Sequence, residues 1–211
     1  MKTSLYRLTY FNIQGRAEIL RMILTYSNVE FEDVRLSYPV WKEVKNQPKF
    51  KFGQLPILEI DDKVIAQTQV IARYLSRKFV YLPIDPDAAL PIEELNTFID
   101  SDISERQSLG GMFKDPEQKE NYRHKYFTEH LPSKLTYLEE ILQKNQTGYL
   151  VGDKMTLADF ALVDFAQRML YDKEWIKRTE PVLEKFPNTS DYLQKRFEDP
   201  KYKAYLEKKP K

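Results

Sequence analysis

The chain contains no cysteine in its 211 residues. A disulfide framework, a thiolate metal site and a cysteine nucleophile are therefore excluded, and any thiol chemistry would use a thiol brought in by a ligand. Glycine is scarce at six, and none of the six builds a phosphate-cradling loop. The two histidines, His124 and His130, stand six positions apart on a predicted helix and so do not share a face, which argues against a metal site. The carboxylates form no paired motif and no local Ser/His/Asp grouping occurs, so hydrolase and nucleotide chemistry are disfavoured. No apolar run approaches the roughly 18 residues of a membrane helix. Arg7, Arg16 and Glu18 interrupt what would have to be the apolar core of a signal peptide, so the expectation is a cytoplasmic protein. An excess of either charge is missing too: 33 Lys and Arg against 32 Asp and Glu leave +1, so neither nucleic acid nor a membrane is an expected partner.

What is present describes an ordinary globular chain, 42% hydrophobic, 13% aromatic and 31% charged, able to bury one large core or two smaller ones. SLYRLTY (4–10) reads as a strand ending at a turn marked by Asn12 and Gly15, with Tyr10 at its exit. From Arg16 to about Ser27, Ala17, Ile19, Leu20, Ile23 and Leu24 recur at helical spacing. Phe31 to Leu36 alternates as a second strand would. The stretch from there to Phe52 is polar and irregular, broken by Pro39 and Pro48, and two βα elements are plausible over this part of the chain. LPILEI (55–60) and KVIAQ (63–67), joined at Asp61-Asp62, read as a hairpin, and a helix follows from Gln69 to Lys78. The order βαβ then ββα predicts a small mixed sheet covered by helices, a thioredoxin-like α/β domain over residues 1–83. Three prolines and two aspartates between Phe79 and Pro91 mark a connection. Residues 84–211 then read at helical period over roughly 90–112, 117–144, 156–171, 175–186 and 188–197, an all-α domain closing in a loose YLEKKPK tail.

Four local features carry chemical alternatives. Leu55-Pro56 is a strand boundary; a cis bond there would also present the backbone groups of Leu55 to an extended peptide. Thr68 reads as a helix N-cap, either a plain one or the mouth of a helix whose amides grip a ligand carboxylate. Tyr10 either packs or donates its phenolic hydrogen to an anion such as a thiolate, with Arg16 nearby. Thr156 and Asp159 form a predicted capping box, which is structural under every hypothesis.

LTYFNIQGRAEILR (8–21), FGQLPILEI (52–60), QTQVIARYL (67–75) and GDKMTLADF (152–160) together resemble the cytosolic glutathione transferases, over the whole chain and in the right order. The first segment resembles the sigma class, which includes glutathione-dependent prostaglandin D synthases. The resemblance implies a glutathione transferase fold. It implies that Tyr10 is the catalytic tyrosine that stabilises the glutathione thiolate, and that Arg16 supports it. Trp41 and Lys45 would line the glycine end of glutathione. Gln54 and Leu55, ahead of a cis Pro56, would hold the cysteinyl backbone, and Gln67 with Thr68 the γ-glutamyl group. The family pair is commonly Gln-Ser; threonine keeps the hydroxyl and adds a methyl. A partner subunit of a homodimer would add an acidic residue, Asp100 first and Asp102 second; on sequence alone Phe50 and Phe52 are candidates for an apolar interface contact, and either could equally be core. Phe11, Ile13, Met112 and Phe113 would wall the electrophile pocket. Gly110-Gly111 stands where sigma-like enzymes often carry a bulkier residue, which weighs against prostaglandin chemistry. The implied reaction conjugates glutathione, the co-substrate, to hydrophobic electrophiles in a detoxifying role. Peroxidase or isomerase side activity is compatible with it, and no metal is expected. The rival is a crystallin-like, non-catalytic glutathione- or ligand-binding protein that keeps the fold.

Overall fold

A computed structural model describes residues 4–207. The chain divides into two compact units: one contains everything up to Leu82 together with the segment from Pro200, the other runs Pro83–Asp199.

The first unit is built on a four-stranded sheet of order β2-β1-β3-β4, with β1 (Tyr6–Phe11), β2 (Phe31–Leu36), β3 (Ile57–Ile60) and β4 (Lys63–Ala66). β1 pairs parallel to β2 and antiparallel to β3, and β3 with β4 closes the hairpin. Alternation along β1 sends its side chains to opposite faces. Tyr6, Leu8 and Tyr10 look toward α1 (Glu18–Tyr26) and α3 (Thr68–Lys78), whereas Phe11 looks toward α2 (Tyr38–Val44), its ring 6.0 Å from that of Trp41. Trp41, Phe50 and Ile57 form the small core on that second face. Each such apolar side chain taken fully out of water contributes about 1.5–3 kcal/mol. The stretch after β2, read as irregular, thus holds a helix whose one buried residue is Trp41. The signal is a single aromatic among polar residues, too little for a periodicity.

β3 starts two residues later than the LPILEI run suggests, just after a cis Leu55-Pro56 bond. Gln67, not Thr68, occupies the N-cap of α3: its φ is +73° and its carbonyl accepts the Ile71 N–H at 3.0 Å, so Thr68 is the first helical residue. The C-terminal end departs further from expectation. Pro200–Glu207 forms α11, packed on α1 with Tyr202 and Tyr205 buried, so it joins the first unit rather than the helical one. Tyr205 to Glu207 therefore end a helix instead of opening a loose tail, and the rest of that tail lies outside the described residues.

The second unit is all helical. α4 (Pro86–Thr97) opens on Asp85, whose carboxylate accepts the Ala88 N–H at 2.9 Å, and α6 (Pro116–Lys125) opens the same way on Asp115. Wide i→i+5 turns at Phe98–Glu105, Tyr126–His130 and Ala166–Leu170 continue α4, α6 and α8 without a break. α5 (Arg106–Ser108) and a 3₁₀ turn carry the first of these to Met112, and α7 (Leu131–Lys144) extends the second. α8 (Leu157–Phe165) has every residue buried and packs on α4, while α9 (Ile176–Leu183) and α10 (Pro187–Glu198) finish the unit. The Thr156–Asp159 capping box forms as read. Asp159 accepts from Thr156 N–H, Thr156 Oγ1, Leu150 N–H and Tyr192 Oη, at 2.6–3.0 Å. Burial pushes the Asp159 carboxyl above its ordinary range, against these four bonds, which favour the charge.

Candidate active site

Tyr10 stands where β1 gives way to the turn leading into α1, only 7% exposed. Its hydroxyl oxygen accepts the backbone N–H of Arg16 at 3.1 Å. An acceptor bond at the oxygen leaves the phenolic hydrogen for another partner and polarises it as a donor. The chain can come this close because residue 15 is glycine: at φ +47° it crosses the phenol, and a Cβ there would stand 2.8 Å from both Cε1 and Oη of Tyr10. It is the main chain of Arg16 that meets the Tyr10 hydroxyl, and the same residue lines the groove described next.

A groove of ≈ 450 Å³, small but within the range of small-molecule sites, opens beside this turn. Phe11, Arg16 and Trp41 line one part, and Gly53 through Pro56 with Gln67 and Thr68 line the rest. Every lining residue belongs to the first unit. Because β3 begins only at Ile57, the sheet engages neither backbone group of Leu55. Gln67 Nε2 donates to Gln54 Oε1 at 3.0 Å, tying the residue ahead of Leu55 to the head of α3. The left-handed backbone of Gln67 is uncommon for a residue with a side chain and marks a position that the surroundings over-determine. Beyond it, the first turn of α3 offers N–H groups with no intrahelical acceptor at the positive end of the helix dipole. The groove therefore combines a cation, a helix N-terminus, free main-chain groups and an aromatic wall, a set suited to an anionic, peptide-like ligand.

Of the residues singled out from sequence, Phe11, Arg16, Trp41, Gln54, Leu55, Pro56, Gln67 and Thr68 meet in this groove, and Tyr10 is held beside it. Lys45 does not line it: it follows the last turn of α2, its N–H bonded to the Trp41 carbonyl at 2.9 Å and its side chain in solvent. Ile13 is 58% exposed on the turn. Asp100, Met112 and Phe113 belong to the helical unit. There Asp100 is half-buried, Met112 is 76% exposed and Phe113 sits 5.3 Å from the Tyr122 ring. Sequence reasoning missed Gly15 as a contact of Tyr10. It also missed a cluster beneath the turn, buried Glu18 and Arg21 with half-buried Asp33, although two charges inside the apolar period of α1 were visible. His130 Nε2 lies 2.6 Å from the Asp102 carbonyl, a structural tie. Among the described residues no group of three or more His, Asp or Glu side chains gathers as a metal site, and no helix is long and apolar enough to cross a membrane.

A family model described as glutathione S-transferase, N-terminal domain, matches residues 6–77, and one described as glutathione S-transferase, C-terminal domain, matches residues 102–209. The chain belongs to the glutathione S-transferase family. It is 33% identical over 208 residues to "Glutathione S-transferase 3" of Caenorhabditis elegans, which covers 97% of both chains. Among solved structures, prostaglandin synthase D of Nilaparvata lugens superposes with a TM-score of 0.83 at 28% identity, covering 98% of this chain and 99% of that one. Na-GST-3 of the hookworm Necator americanus, described as monomeric, superposes with a TM-score of 0.79 at 30% identity, covering 98% of each chain. The thioredoxin-like sheet domain and helical domain are those of the family. Its activity is glutathione transfer: the sulfur of glutathione, the co-substrate, is conjugated to a hydrophobic electrophile.

Proposed function

We propose that Tyr10 is the group that activates glutathione, by donating its phenolic hydrogen bond to the sulfur and so favouring the thiolate. The observation that carries this reading is the Arg16 N–H bound to the Tyr10 oxygen, which leaves the phenolic hydrogen for a ligand. A free thiol titrates near pH 8.5 and is mostly protonated at neutrality, so a preorganised donor at the sulfur is the chemistry required. Gln54 and the main chain of Leu55 hold the cysteinyl portion in the manner of an added strand. Gln67, Thr68 and the first amides of α3 receive the γ-glutamyl carboxylate, and Trp41 borders the glycine end. The thiolate attacks the electrophilic carbon, a C–S bond forms, and the leaving group departs with the electron pair of the broken bond; the thiol proton has already passed to solvent.

The electrophile is hydrophobic, with Phe11 and Ile13 of the first unit as its proposed contacts. The similarity to a prostaglandin synthase supports a sigma-class assignment; a detoxifying, cytoplasmic role is part of the same proposal. A homodimer in which the partner subunit's Asp100 completes the glutathione site is the assembly we favour. Phe52 is the interface aromatic, being 63% exposed while Phe50 is a 4%-exposed core residue. Light scattering of wild type and Phe52→Ser tests it: a dimer that the variant dissociates is expected, and a monomeric wild type refutes it.

The deciding experiment is conjugation of glutathione to a chloronitrobenzene by wild type and Tyr10→Phe. Loss of one donor to the developing charge lowers kcat by about 10²-fold. Unchanged turnover in the variant would remove Tyr10 from the reaction, and a wild type retained on a glutathione column without turnover would favour the non-catalytic binding protein.

A further inference from the structure

Beneath the turn that carries Gly15 and Arg16 lies a buried guanidinium that the reaction as described does not use. Arg21 is 2% exposed, on the face of α1 turned toward the sheet. Its Nη1 donates to the carbonyls of Ile13 and Gln14, each at 3.1 Å, and to Glu18 Oε2 at 2.9 Å. Its Nε is held between both oxygens of Asp33 on β2, at 3.1 Å each. Asp33 also binds Arg35 at 2.8 Å, and Arg35 reaches Asn12 Oδ1 at 3.3 Å. Two arginines anchored on one carboxylate thus hold three consecutive residues of the turn, 12 to 14. The next residue crosses the Tyr10 phenol, and the one after donates to its oxygen. The Arg21 guanidinium carbon itself stands 6.0 Å from the Tyr10 ring centroid, a second link to the same side chain.

Stability alone does not account for this arrangement. Two hydrogens of Nη1 serve three acceptors, while the buried Nη2 has no hydrogen-bond partner among the described residues. A buried ion network with an unmet donor is weak support for a fold, and an apolar side chain of similar volume packs without that cost. What only the guanidinium fork can do is grip two adjacent carbonyls and a carboxylate at fixed geometry. We infer that Arg21, supported by Glu18 and Asp33, is a positioning residue for the transferase reaction. It fixes the 13–16 turn so that the Arg16 N–H stays on Tyr10 and the phenolic hydrogen stays aimed at the sulfur. The inference rests on the role proposed for Tyr10.

A double-mutant cycle tests it, with Arg21→Lys, Arg21→Met and Asp33→Asn each made in wild type and in Tyr10→Phe, all folded forms checked by thermal melting. In the wild-type background Arg21→Lys lowers kcat about tenfold, since misplacing a reacting group by a fraction of an ångström costs that order, with KM for glutathione moving less. In the Tyr10→Phe background the same substitution changes kcat by less than about twofold, because coupled residues act as a unit. The ultraviolet thiolate band of bound glutathione should develop at higher pH in Arg21→Lys than in wild type, a shift that a merely structural role would not produce. Should Arg21→Met fail to fold, Arg21→Lys and Asp33→Asn carry the cycle. Equal losses in both backgrounds, or full kcat in the Arg21 variants while Tyr10→Phe is impaired, would overturn the inference and leave the Tyr10 reading standing. Wild-type turnover in Tyr10→Phe would instead overturn both.

Discussion

Replacing Gly15 by alanine separates the backbone requirement of the turn from its contact with the phenol. At φ +47° an L-residue loses about 1–2 kcal/mol, partly offset by about 0.5–1 kcal/mol because alanine restricts the unfolded chain. The net destabilisation of about 1 kcal/mol lowers Tm by roughly 2–4 °C in a chain of this size. The new methyl adds a second effect. It would stand 2.8 Å from Cε1 and Oη of Tyr10, whereas ordinary contact begins at 3.4 Å, so the phenol or the turn must retreat by at least the difference. Both are held, the ring by burial and the turn by Arg21, so the Arg16 N–H bond to the hydroxyl is what yields. A shift of half an ångström or more at the donor should lower kcat by about tenfold or more. Gly148 is the control: its φ is +87° and nothing lies within 4 Å of its would-be Cβ. Gly148→Ala should therefore carry a comparable loss of Tm with kcat unchanged. Steady-state conjugation assays and thermal melts on the two variants decide the matter. If Gly15→Ala keeps kcat within twofold of Gly148→Ala, the close approach at Gly15 has no bearing on the chemistry.

Val80 closes α3 in a Schellman motif, with Tyr81 N–H on the Ser76 carbonyl at 2.7 Å, yet it is β-branched at φ +65° and 68% exposed. Val80→Gly should therefore stabilise by about 0.5–1 kcal/mol in denaturant titration, and a loss would show that the valine packs. Glu139 of α7 accepts the N–H groups of Asn188 and Thr189 and both their side chains, all at 2.8 Å, and so caps α10. Partial burial alone would raise its pKa, but these hydrogen bonds outweigh it and hold the carboxyl below the ordinary 4.5. A depressed native pKa gives stability that is present above the unfolded value and lost as pH falls through the native one. Glu139→Gln should thus cost about 1–2 kcal/mol at pH 7, and the gap to wild type should close on acidification below the unfolded value; a gap independent of pH contradicts the cap. Asp159→Ala strands the buried amides of Leu150 and Thr156 and the Tyr192 hydroxyl, so unfolding free energy should drop by about 3–5 kcal/mol, and a change under about 1 kcal/mol would deny the capping box its role.

The order of elements, the hairpin at Asp61-Asp62, the helical period beyond residue 84 and the Thr156–Asp159 box were legible because each is a local pattern of side-chain period or cap chemistry. The family motifs likewise named the residues that meet in the groove. Other features depended on which segments meet in space. Phe50 and Phe52 are equivalent in sequence, and only packing against Trp41 and Ile57 buries the first and leaves the second in solvent. The tyrosines of α11 look like part of a charged tail until α1 provides an apolar surface for them. The left-handed cap at Gln67 is set by the crossing from β4 into α3, for which glutamine itself has no preference. Arg21 reads as one charge among the hydrophobic residues of its helix. Its partners stand on the turn before it and on β2 beyond it, and only the parallel pairing of β1 with β2, which sets Asp33 beside Leu8, brings the carboxylate, the turn carbonyls and the phenol within reach of one guanidinium.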